Sequence, residues 1–172
     1  MIDIAQKYKG ELSKLFLDNW SSDRLKYWNA IGYNRSLPEI PDTDWGSRHF
    51  VIKNNENIIG YVSYEMSIRP NSVHTLEAVN FSDKTKDKAV FGIGLFKILR
   101  DVFDLYKANK INFCVTVGNP IEPAYDRLIA KFGGRIVGIY KEDAKLVDGE
   151  MYDLKAYEIL RSEYLQNYHN KH

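Results

Sequence analysis

The sequence predicts a mixed α+β fold, a central sheet flanked by helices, and three observations predict it. Two β-rich runs flank a short polar turn at Asn54–Asn57, which reads as a β-hairpin. A strand, a charged loop, an amphipathic helix and a second strand follow one another from Val73 to Val117, the order of a βαβ crossover with its strands parallel. Two short strand patterns near the C-terminus, Arg135–Tyr140 and Met151–Leu160, are joined by a stretch holding Asp148-Gly149.

From Ile2 to Trp20 apolar residues recur at Ile4, Tyr8, Leu12, Leu15, Phe16 and Trp20, the spacing of a helix. A second helical stretch runs from Ser22 through Leu25, Trp28 and Ile31, with Ser21-Ser22-Asp23 offering its N-cap. Gly32–Ser47, with Pro38 and Pro41, reads as a surface loop that carries Trp45. Helical spacing makes Trp20 and Trp28 core residues. The hairpin strands are Phe50–Lys53 and Ile58–Tyr64, and Val73–Phe81 is the next strand.

Ser82–Lys88 reads as a charged loop, after which Leu95, Ile98, Leu99, Val102, Phe103 and Tyr106 form one apolar helix face. Ile111–Val117 has the composition of an inner strand, and its Cys114 is expected in the core. Gly118-Asn119-Pro120 stops that strand. A helix spans about Glu122 to Phe132 before Gly133-Gly134, and the tail Gln166–His172 is expected to fray.

A chain of 172 residues, 44% hydrophobic and 13% aromatic, is sized for one domain, with helices and a loop over 1–49 and the sheet over 50–160. Its 24 basic and 23 acidic side chains leave a charge of +1, so no global field points to nucleic acid or an anionic membrane. One cysteine excludes an internal disulfide, and no long apolar run or leader pattern opens the sequence, so a cytoplasmic location is expected. The four histidines lack metal-ligand spacing, and no metal is expected.

The stretch Ala89-Val90-Phe91-Gly92-Ile93-Gly94-Leu95 places two glycines where the amphipathic helix is expected to begin. Each costs roughly 1 kcal/mol against alanine inside a helix. A helix N-terminus with bare amides binds phosphate, and glycine removes the obstruction to it. The alternative is that the glycines allow a close helix–strand contact. Neither the full dinucleotide pattern nor a P-loop fits, because position 97 is lysine and no Gly-Lys-Ser/Thr follows.

The order hairpin, strand, G-x-G helix, strand, helix, hairpin resembles the GCN5-related N-acetyltransferases (GNAT) over about Phe50 to Leu160. The resemblance implies a sheet splayed between Val73–Phe81 and Ile111–Val117, with acetyl-CoA in the splay. Main-chain amides of Phe91, Gly92, Ile93, Gly94 and Leu95 then hold its pyrophosphate, and the backbone near Ala78, Val79 and Asn80 pairs with the pantetheine arm. The family's Gln/Arg position is Ala89, with Lys84, Lys86 or Lys88 available to supply the charge.

Asn119 and the helix after it are similar to the family's Asn-Ala-Tyr-Gly segment, which makes Asn119 a CoA contact and Tyr125 the candidate acid for the departing thiolate. Counting back from the glycines puts the family's tyrosine near Ile129, and counting from Asn119 puts it near Asp126. Glu77 is the candidate base and His74 the reserve, on opposite faces if the strand alternates. The implied activity is direct acetyl transfer to a primary amine. Expected partners are CoA and a small-molecule or peptide amine, with a homodimer allowed. The alternatives are a catalytically inactive CoA-binding or regulatory module of this fold, and an unrelated phosphate-binding α/β domain.

Overall fold

The structure, a computed structural model, describes residues 1–28, 37–43 and 45–168. The second helical stretch is therefore described only as far as Trp28, where it forms a short 3-10 turn at Asp23–Leu25 rather than an α-helix, and its end at Ile31, residues 32–36 and 44 of the loop and the last four residues of the tail lie outside the described residues.

Among the described residues seven strands form one sheet in the order β1-β2-β3-β4-β5-β7-β6. They are β1 (Ile2–Ile4), β2 (Ser47–Asn54), β3 (Asn57–Ser67), β4 (Ser72–Asn80), β5 (Lys110–Thr116), β6 (Arg135–Lys145) and β7 (Met151–Leu160). Four α-helices accompany them among the described residues: α1 (Lys9–Asp18), α2 (Thr85–Asp104), α3 (Glu122–Phe132) and α4 (Arg161–Asn167). All neighbours are antiparallel except β4 and β5. That parallel pair holds only at Ser72–Lys110 and Val73–Ile111, after which the strands part. The splayed α+β sheet of the sequence reading is present.

The sheet has a hydrophobic cluster on each face. Ile52, Val62, Tyr64 and Val73 pack with α2 residues Phe91, Leu95, Ile98 and Leu99, and with Tyr125, Ile129 and Phe132 of α3. On the other face Val51, Tyr61, Val79 and Phe81 meet Leu12, Phe16, Leu25 and Trp28. Phe16 is the hub there, with ring contacts to Trp28, Tyr61 and Phe81. Trp28 is a core residue, as its spacing predicts.

The N-terminus departs from the expected long helix. Ile2 and Ile4 instead pair with Ile52 and Phe50 as an edge strand. The Asp3 carboxylate accepts the Ile4 N–H, the Lys7 ammonium and the Tyr8 hydroxyl, which turns the chain into a short 3-10 helix before α1. β-branched residues facing an open sheet edge gain more from pairing than from one more helical turn.

α2 begins at Thr85 rather than near Phe91, about two turns early. Ser82–Lys88 looks like a loop by charge, yet Asp87 stands in the first turn, where a carboxylate complements the helix dipole. Its carboxylate accepts the Ser82 hydroxyl and the Asn54 amide, both at 2.6 Å. Two smaller corrections follow from burial. Cys114 is exposed, because Ile111, Phe113 and Val115 take the covered side of β5 and leave it the other. The tail is helical as far as Asn167, since Tyr164 and Tyr168 stack and pack on Phe132.

Candidate active site

The glycines of the G-x-G stretch lie inside α2, where backbone amides bond to carbonyls one turn back. The amides of Phe91, Gly92, Ile93, Gly94 and Leu95 are thus not the open helix start that the sequence reading expects. Packing explains Gly94: a Cβ there would lie 2.8 Å from Ile52 Cδ1, so the glycine lets α2 close down on β2. Gly60 does the same beneath the Phe91 ring, which occupies the space its Cβ would take. Gly92 is exposed, with nothing within 4 Å of a Cβ, and Ile93 is 71% exposed.

Beyond Val73, β4 leaves β5 and keeps only β3 as partner: Glu77, Ala78, Val79 and Asn80 pair with Ser63, Val62, Tyr61 and Gly60. Its other edge, facing the splay, carries no ladder among the described residues, which suits an extended amide-bearing arm. Of the expected contacts, Ala78, Val79 and Asn80 hold this position. Asn119 follows β5, and its side-chain oxygen accepts the Ile121 N–H at 3.1 Å, turning the chain into α3.

Register places the titratable residues. Between Ser63–Glu77 and Glu65–His74, β4 takes three steps where β3 takes two, a bulge at Thr75. Thr75 has φ +56°, a costly conformation for a β-branched residue. The extra residue breaks the alternation, so His74 and Glu77 share a face instead of opposing each other. His74 is held there by Ser67 at 2.9 Å and by Glu65 at 3.5 Å.

Glu77 projects into a cavity of about 900 Å³ with Trp28, Glu39, Trp45, His49 and Glu65 among its walls. Three carboxylates line it, and no lysine or arginine does among the described residues. Arg48, next along β2, points to the opposite face and lies 5.2 Å over the Tyr106 ring. Burial holds the Glu77 carboxyl above the usual carboxylate range; the Ser63 hydroxyl, donating at 3.2 Å, opposes this, and the Glu65 charge adds to it. Composition carries little trace of this cavity, because its walls come from four separate segments.

Tyr125 is not in that cavity. It is buried on the α2 side, edge-on to Phe113 at 4.9 Å and near Tyr157, and burial raises its phenol so that it stays protonated. Beside it, Lys155 bridges Glu122 and Asp126 at 2.9 and 2.8 Å, a cluster that sequence reasoning did not single out. Among the described residues no group of three or more His, Cys, Asp or Glu side chains gathers as metal ligands. No helix of the described residues is long and apolar enough to cross a membrane.

No protein-family model matches the sequence, and no curated protein does. Solved structures do match. A spermidine N-acetyltransferase from Vibrio cholerae, in complex with CoA and spermine, is 21% identical with a TM-score of 0.71, over 96% of this chain and 97% of that one. A chimera built on the Vibrio cholerae enzyme is 20% identical with a TM-score of 0.67, over 96% and 98%. A spermidine/spermine N-acetyltransferase structure from the same organism, with manganese ions, is 21% identical with a TM-score of 0.60, over 92% and 78%. The splayed seven-stranded sheet and its flanking helices are thus the fold of these N-acetyltransferases.

Proposed function

We propose that this chain transfers an acetyl group from acetyl-CoA to a primary amine bearing a second cationic nitrogen. The observation that carries the reading is the cavity beside the splay, where Glu39, Glu65 and Glu77 meet Trp28 and Trp45 without a balancing cation among the described residues. Carboxylates attract ammonium groups, and aromatic faces bind them by cation–π attraction. The neighbour crystallised with CoA and spermine supports both halves of the proposal.

An alkylammonium ion must lose a proton before its nitrogen can attack a thioester carbonyl. Glu77 accepts that proton: a carboxylate shifted toward neutrality by burial is a stronger base than an exposed one. The N–C bond then forms as the C–S bond breaks and the thiolate leaves; the nitrogen sheds its second proton as the amide forms, which balances the proton that the thiolate takes up. Tyr125, protonated throughout the working range, is the proposed donor to it. The unpaired edge of β4 at Ala78, Val79 and Asn80 receives the pantetheine amides, with Asn119 across the splay. The residues present fit the arm of the cofactor better than its pyrophosphate, whose contacts fall to Lys84, Lys86 and Lys88 rather than to the helical amides of 91–95.

That last point favours a second reading, a CoA-fold module without turnover. One experiment separates the two: the chain is incubated with acetyl-CoA and a panel of monoamines, diamines, polyamines and a lysine peptide, while thiol release and product mass are followed. Turnover with the diamines or polyamines, lost in Glu77→Gln, is the expected result. Thermal stabilisation by CoA without thiol release on any amine establishes the second reading instead.

A further inference from the structure

Beyond Val73 and Ile111 no ladder holds β4 and β5 at a fixed separation among the described residues. On the α2 face one hydrophobic core spans both halves of the sheet, with Val62, Val73 and Leu76 on one side of the splay and Phe113, Val115 and Tyr157 on the other. The core on the opposite face stops at the first half. It takes Val51, Tyr61, Val79 and Phe81, and no residue of β5, β6 or β7 among the described residues. A splay joined by packing on one face only is free to hinge about that face.

Residues 24–28 bridge that other face. Leu25 and Trp28 are buried in the core of the first half, and Arg24 pairs with Asp83, just past β4. The two residues between the apolar anchors reach the second half instead. Lys26 Nζ lies 3.1 Å from Asp148 Oδ2 and donates to the Tyr152 hydroxyl at 3.1 Å, while that hydroxyl donates to Asp148 at 2.8 Å. The same ammonium stands 5.1 Å from the centre of the Tyr152 ring. Tyr27 Oη donates to the Gly118 carbonyl at 3.0 Å, one residue before Asn119. Two polar ties thus run from the β4 half to the end of β5 and to the β6–β7 connection.

We propose that residues 24–28 form a strap that sets the width of the splay, and that Lys26 and Tyr27 are positioning residues for the thioester cofactor. The ligand of this proposal comes from the acetyl-transfer reading. An extended arm reaches the β4 edge at Ala78, Val79 and Asn80 and the wall at Asn119 together only at one separation of the two. Hydrogen bonds weaken steeply as their distance and angle depart from the optimum, so a small opening of the splay lowers affinity for the arm. Trp28 also lines the amine cavity, so the strap holds the cofactor channel and the acceptor cavity in one frame. The ties are exposed or partly so, and each is weak in itself. Fold stability therefore rests on the buried anchors, and the ties govern geometry.

Lys26→Met with Tyr27→Phe removes both ties and keeps the anchors. In the free full-length chain, spin labels on Cys114 of β5 and on Glu56→Cys in the β2–β3 turn, both exposed positions, read the distance between the two halves. The double variant is expected to lengthen or broaden that distance. A distribution identical to that of the labelled protein with both ties intact overturns the strap, whether or not CoA binds. In turnover, each single variant is expected to raise KM for acetyl-CoA about 3- to 10-fold without a fall in kcat, and to raise KM for S-acetylpantetheine by the same factor, since the ties act on the arm. Lys26→Arg is expected to keep the wild-type KM. Unchanged KM in both single variants, or a rise for acetyl-CoA that S-acetylpantetheine does not share, overturns the positioning role. A wild type that binds no CoA removes the acetyl-transfer reading and the positioning role with it, a result that the label distances report separately.

Discussion

Gly94 of α2 and Ile52 of β2 are in direct contact: a Cβ on the glycine would lie 2.8 Å from Cδ1 and 3.0 Å from both Cγ atoms of the isoleucine. Gly92, two residues earlier, meets nothing within 4 Å. The two glycines of one motif therefore have opposite physical roles.

Gly94→Val is expected to destabilise the protein by about 1–3 kcal/mol, the usual cost of overpacking a filled core. Gly92→Ala is expected to stabilise it by about 0.8–1 kcal/mol, since the helix gains propensity and loses no contact. Thermal unfolding reads both, at roughly 2–4 °C per kcal/mol for a chain of this size. A destabilised Gly92→Ala with impaired CoA binding indicates instead that the helix begins at the motif.

Glu77→Gln is expected to raise stability at neutral pH while lowering kcat. The raised carboxyl means that the folded state binds a proton more tightly than the unfolded chain does. Wild-type stability therefore falls as pH rises from the unfolded value, near 4.5, to the raised folded one, and is level above it. The variant lacks this slope, so denaturant midpoints of the two proteins converge below about pH 4 and separate above it. Equal midpoints at pH 8 contradict the burial argument.

Glu65→Gln tests the second cation. Its carboxylate is exposed, and an exposed charge pair is worth about 0.2–1 kcal/mol. KM for a diamine is expected to rise by no more than about fivefold, less at high salt, with KM for a monoamine unchanged. An equal rise for both amines places the second nitrogen elsewhere.

Tyr125→Phe keeps the ring against Phe113 and removes only the hydroxyl. If Tyr125 protonates the thiolate, kcat falls about 10- to 100-fold while CoA affinity, read by thermal shift, stays constant. Unchanged kcat leaves the residue to packing with Phe113 and Tyr157.

Much of the frame was legible in the chain. Met151–Leu160 and Glu122–Phe132 have the predicted bounds, and the β2–β3 hairpin turns at Asn55, which takes φ +53° as asparagine readily does. The start of α2 was not legible, because Asp87 acts there through Ser82 and through Asn54 of another strand. The shared face of His74 and Glu77 was hidden as well, since the bulge at Thr75 exists only through the register with β3.

By itself the sequence determined the hairpin, the parallel crossover, α3 and β7, because periodicity, turn residues and chain connectivity are local properties that each segment carries. Only the tertiary structure decided what the glycines are for, which face Glu77 shares, and where acidic charge collects. Those depend on atoms from β2, β3, β4 and the loop before β2 meeting across space. A Cβ clash, a bulge or a cavity wall is a relation between segments, and no window along one of them contains it.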